Sequence, residues 1–141
     1  MFGRLCRCLE APLFLLYVLH TPRGEGEPGR YQSQEIDHGE LDAFLARFAG
    51  LLANDGRFDL WAYSPEQDAT VVWDRHNQIY GYGASDCFEA ALRGLGLTSG
   101  EIPVLGEHIH HYRSEYDEDA RALLDSMNWI RTPLRPQDEQ R

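Results

Sequence analysis

Three histidines stand within four positions in "GEHIHHY": His108, His110 and His111. On extended backbone, side chains alternate between two faces. His108, His110 and Tyr112 then share one face, and Glu107, Ile109 and His111 share the other. A pair of imidazoles one residue apart can converge on a metal ion, and a third histidine or a carboxylate would complete a zinc site. His76, in the turn-forming "DRHN", or His38, ahead of the first long amphipathic stretch, could supply that third ligand. The plainer reading turns Ile109 inward and leaves His108 and His110 in water. The acids that follow, Glu115, Asp117, Glu118 and Asp119, need no metal to explain them. Acids in the first turn of a helix complement its dipole. They also lack the alternating ligands and central glycine of an EF-hand.

Cys87 is a second candidate. It lies in "SDCFEAALRGLG", where Ser85 reads as a helix N-cap and Cys87 falls in the first turn. Helix-start amides favour thiolate over thiol. A histidine base, His108 or His110, would complete a Cys–His nucleophile. The stretch resembles the cysteine helix of NlpC-like cell-wall hydrolases, which place Cys at a helix start and His on a later strand. That resemblance implies a hydrolase with Cys87 as nucleophile. Phe88 and Glu89 depart from the Ser-Gly pair that family carries there, and Asp86 beside the thiol opposes thiolate. A free cysteine is also commonly a small buried hydrophobe. "GYGASD" lacks the lysine and spacing of a phosphate loop. Its glycines fit a strand exit and a close approach of strand to helix.

A third constellation is aromatic. Trp61 and Tyr63 alternate with Phe58, Leu60 and Ala62, so the two groups take opposite faces, and one face must point away from the covering helices; the pair could lie on it. With Asp59, Glu66, Asp68 and Asp74 around them, and His76 nearby, they would make aromatic anchors in a charged rim, as protein-binding surfaces do. The alternative is that these aromatics fill the core.

The elements that must position these residues are legible in outline. Residues 13–20 read as a buried strand, although Arg4 and Arg7 ahead of the apolar run give the segment the shape of a secretory signal. Glu10, Pro12 and the lack of a small-x-small site oppose that reading. Residues 1–11 are expected to be a flexible leader. Residues 21–35 are rich in glycine, proline and charge and read as an exposed loop. Asp37 and Glu40 form a capping box, and Leu41, Phe44, Leu45, Phe48, Leu51 and Leu52 follow on one helical stripe. "RFDLWAY", "ATVVW" and "QIYGYG", separated by the turns "SPEQD" and "DRHN", read as an antiparallel meander. A short helix from Ser85, strands in "EIPVL" and "GEHIHHY", and a helix from Ser114 complete the domain, 12–130. Residues 131–141 read as a polar tail.

The expected order is β-α-β-β-β-α-β-β-α, an α+β domain with an antiparallel sheet and helices packed on one face. With 141 residues, one core is expected. The net charge of −10 opposes binding to nucleic acid or anionic membrane and favours a basic partner. Three cysteines, Cys6, Cys8 and Cys87, argue against a disulfide framework and for a reducing, cytoplasmic setting. Size and acidity resemble small immunity proteins and secretion chaperones, and the element order after the first strand resembles class I type III secretion chaperones. That resemblance implies a small acidic domain that neutralises or escorts a basic protein; the aromatic and charged residues read above, Asp59, Trp61, Tyr63, Asp74 and His76, would hold it, without a cofactor. The alternative is an enzyme using Cys87 with His108 or His110, or a metal held by His108 and His110. The oligomeric state is left open, with a homodimer among the options.

Overall fold

The run Phe14–Leu19 (β1) is apolar at every position, with Leu15, Tyr17, Val18 and Leu19 buried and Phe14 and Leu16 partly so. It takes an inner place in a six-stranded sheet, as the computed structural model, which describes residues 1–139, lays it out. β1 pairs antiparallel with Gly29–Gln32 (β2) on one side and Phe58–Ser64 (β3) on the other. Beyond β3 the meander continues through Ala69–Trp73 (β4) to Ile79–Tyr82 (β5). Beyond β2 lies Ile130–Thr132 (β6), giving the order β5-β4-β3-β1-β2-β6.

The period of two sorts the sheet into faces. Leu15, Tyr17 and Leu19 of β1 share one face with Phe58, Leu60 and Ala62 of β3, and with Ala69 and Val71 of β4, all buried. The helices lie on that face. They are Phe2–Cys6 (α1), His38–Arg47 (α2), Ala49–Asn54 (α3), Ser85–Gly94 (α4) and Asp117–Asp125 (α5). Leu41, Phe44, Phe48, Leu51 and Leu52 of the expected stripe are buried and Leu45 partly so, but the stretch is two helices rather than one, broken at Phe48, whose backbone leaves the helical region; Asp37 and Glu40 close the capping box. Tyr17 stacks on Phe58 at 5.1 Å between ring centroids, and Trp129 joins it to Phe44. The glycines of "GYGASD" act as expected: a Cβ on Gly81 would meet the Phe88 ring at 2.7 Å. Gly83, at φ +97, makes the turn into α4.

The α+β class therefore stands, but several segments differ from expectation. Residues 1–11 are no loose leader: Phe2, Leu5, Cys6 and Leu9 are buried, because α1 closes the core over β4. The segment 21–35 contains β2, whose Tyr31 joins the core. The expected strands in 101–112 are absent. Pro103 and Gly106 interrupt the stretch, and no strand among the described residues pairs with it. The sheet edge is taken instead by β6, at the start of the expected tail. Asp138, also in that tail, is buried against Arg30. Residues 140 and 141 lie outside the described residues. Ser85 and Ser114 make no cap bond: Ala84 and Arg113 hold the N-cap positions of their helical turns. Among the described residues no helix is long and apolar enough to cross a membrane.

Candidate functional site

The β4–β5 hairpin turns through Asp74–Asn77, and Asp74 shapes that turn. Its carboxylate accepts from the backbone N–H of His76 and of Gln78, both at 2.9 Å. Its second oxygen lies 3.3 Å from His76 Nδ1, which leaves Nε2 of His76 directed elsewhere. Asp59 fixes the same turn from β3 by accepting from the Arg75 N–H at 2.7 Å, while its other oxygen holds His20 Nε2 at 2.7 Å. Asp59 and Asp74 are only 9% and 7% exposed. They do not form the charged rim expected of them; backbone and histidine partners consume their oxygens.

Opposite this turn runs the irregular segment that follows α4. Its far end is pinned by the link between α3 and β3. The Gly56 N–H donates to the His111 carbonyl at 2.9 Å, and the Arg113 N–H donates to Asp55 Oδ2 at 2.8 Å. Arg57, fully buried, makes that anchor rigid. It donates to both Asp55 oxygens, to Glu25 and Asp117, and to the Arg113 carbonyl. Burial alone would lower the Arg57 pKa, but the bonds to Asp55 and Glu25 outweigh it and raise it. In the sequence, Asn54 to Gly56 reads as a helix stop, which does not mark the charged knot that forms around it. The signal available was Asp55 and Arg57 two residues apart with one glycine between.

The pinned segment carries His108 and His110 to His76. Ring centroids are 4.8 Å apart for His76–His108, 5.1 Å for His76–His110 and 5.0 Å for His108–His110. One nitrogen from each ring lies within 4.8 Å of the others. Tyr112 stacks on His110 with an interplanar angle of 10°. His108 Nδ1 is 3.1 Å from the Gly106 carbonyl, and His110 bonds to the Arg75 backbone. Burial, then the neighbouring His76 and His108 rings and Arg75, hold His110 below the usual imidazole range. His108 and His110 thus share a side as alternation suggests, but on a loop rather than a strand. His38 is elsewhere, bound to the Leu9 carbonyl at 2.8 Å, and His111 contributes its backbone only.

Cys87 is no nucleophile: its sulfur is bonded to Cys8, joining α4 to the end of α1. The odd cysteine count concealed one pair and one free, buried thiol, Cys6.

Trp61 and Tyr63 do lie on the face away from the helices. Register places Leu16 opposite Trp61 and Phe14 opposite Tyr63. With Arg30, Gln32, Thr70, Ile130 and Arg135 they line an open groove of about 440 Å³. The Arg30 guanidinium sits 5.6 Å from the Trp61 ring and pairs with Asp138. Tyr63 is 37% and Ile130 67% exposed, so the groove is walled by apolar side chains in contact with water.

Compared with known protein families, curated proteins and solved structures, the chain matches none of them.

Proposed function

We propose that the protein works by binding another polypeptide through the open face of its sheet. The observation that carries this reading is the groove itself. Five helices cover one face, while Phe14, Leu16, Trp61, Tyr63 and Ile130 on the other remain uncovered. Rigid aromatics in a groove give large contact area at small entropic cost, which is how interface anchors earn their affinity. The net charge of −10 would draw an overall basic partner from a distance. Such a protein would neutralise or escort its partner, in the manner of an immunity protein or a chaperone.

Asp59 and Asp74 support the hairpin instead of touching the partner, so reversing their charge would test the fold and not the steering. The Cys8–Cys87 bond favours an oxidising compartment over the cytoplasm, since protein disulfides persist where thiols are not kept reduced.

The test uses Tyr63→Lys combined with Ile130→Glu, with Ala46→Lys on the exposed side of α2 as control. The partner that co-purifies with the wild-type chain from its native cells is expected to be lost from the double variant and kept by the control. All three proteins should unfold at similar temperatures. Retention of the same partner by the folded double variant would remove the groove from the interface. A rate of association that is indifferent to added salt would remove the steering.

A further inference from the structure

We propose that His76, His108 and His110 bind one divalent transition-metal ion of the zinc class, with a coordination position left open to solvent. The first ground is convergence. Three imidazoles from two separate segments, the β4–β5 turn and the loop after α4, bring one nitrogen each to within 4.8 Å of the others. His108 is exposed and His110 half-buried, while the His76 side chain is 8% exposed and held beside Asp74 at the hairpin turn, so the cluster stands outside the hydrophobic core.

The second ground is the set of partners behind the rings. A metal-bound histidine almost always directs its other nitrogen to a carboxylate or a backbone carbonyl, which fixes the ring and its tautomer. Here His76 Nδ1 faces Asp74, His108 Nδ1 faces the Gly106 carbonyl, and His110 bonds to the Arg75 backbone. Each ring is thus held by one nitrogen. The Asp74 carboxylate would also offset part of the charge a cation brings.

The third ground is freedom to close. Zinc–nitrogen bonds of about 2.0–2.1 Å in a tetrahedral site place ligand atoms roughly 3.4 Å apart. The rings must draw together by somewhat more than an ångström. His108 can supply that movement, because it sits on an irregular, exposed segment whose backbone is anchored beyond His110, at His111 and Arg113. Among the described residues the cluster holds three nitrogen ligands and no carboxylate or thiolate, which is the ligand count of open zinc sites, not of closed structural ones. The fourth position would hold water or a donor from a bound molecule.

The experiment is titration of chelator-treated protein with Zn²⁺ by calorimetry and with Co²⁺ by visible absorption. One ion per chain is expected, and the Co²⁺ complex should show the strong visible bands of a four-coordinate nitrogen site. His108→Ala and His110→Ala should each lower affinity more than about 100-fold, beyond the loss caused by removing an orienting partner. His38→Ala and His111→Ala should bind as the wild type does. Circular dichroism separates lost ligands from lost folding, and His108→Gln serves as a second, milder change at an exposed position. Absence of stoichiometric binding would overturn the proposal. So would wild-type affinity in a folded protein lacking both His108 and His110, or equal loss in His38→Ala.

Discussion

Arg57 shows how much one side chain can organise. Its guanidinium is wholly buried, with Asp55 at 2.8 and 2.9 Å and Glu25 at 3.1 Å. Removing one member of such a group leaves the others charged and unpaired, at a cost of about 3–5 kcal/mol. Arg57→Ala should lose stability on that scale in urea unfolding, far more than Arg93→Ala, whose partner Glu89 is exposed. Cys6 makes a second expectation at this scale. Burial, with Asp42 adding to it, pushes its thiol pKa up to about 12. The native protein should therefore resist thiol reagents at neutral pH. Unfolding without reductant should release one reactive thiol per chain, since Cys8 and Cys87 are joined. Three reactive thiols would mean that the bond is absent. The roles of Asp59 and Asp74 were not legible in the sequence, because a carboxylate near a turn looks the same whether its partners are water or backbone.

At the scale of elements, two links hold peripheral helices to the core. The disulfide ties α4 to the end of α1 across a sequence separation of 79. Loop-closure entropy for a span of that order amounts to about 4.5 kcal/mol as an upper bound. The double variant Cys8→Ser, Cys87→Ser should lower the unfolding midpoint accordingly. α4 should lose hydrogen-exchange protection first, since Phe88 is its one buried residue. α5 is held differently. Asp117 is kept below the usual carboxylate range by its hydrogen bond from Arg23, and further by Arg57. A depressed folded pKa contributes stability above the unfolded value, near pH 4, and that contribution disappears as pH falls through the folded value. Asp117→Asn should therefore be less stable than wild type at neutral pH, with the gap closing in acid. A gap that stays constant across that window would show that the charge is not what anchors α5. The meander and the α2–α3 stripe were legible, because period and turn chemistry act over a few residues. The stretch 101–112 misled, because alternation identifies a strand only where a neighbour offers a free edge.

The whole molecule is asymmetric. One face of the sheet is buried under helices, the other is open and aromatic, and the histidine cluster sits at the end of the meander, beside the link from α3 to β3. Local pattern alone determined the α+β class, the β3–β4–β5 meander and the capped amphipathic stretch; it set Trp61 and Tyr63 opposite Phe58, Leu60 and Ala62, and the packing of the helices decided which of those faces is open. It also paired His108 with His110, since residues two apart on extended backbone share a side. Tertiary structure alone decided that His76, not His38, meets that pair, that Cys87 is bonded to Cys8, and that Phe2, Leu5, Cys6 and Leu9 belong to the core. Each of these joins segments far apart in the chain. Such meetings depend on how the sheet orders its strands and where the Arg57 knot pins the loop, and neither leaves a periodic trace in the residues that come together.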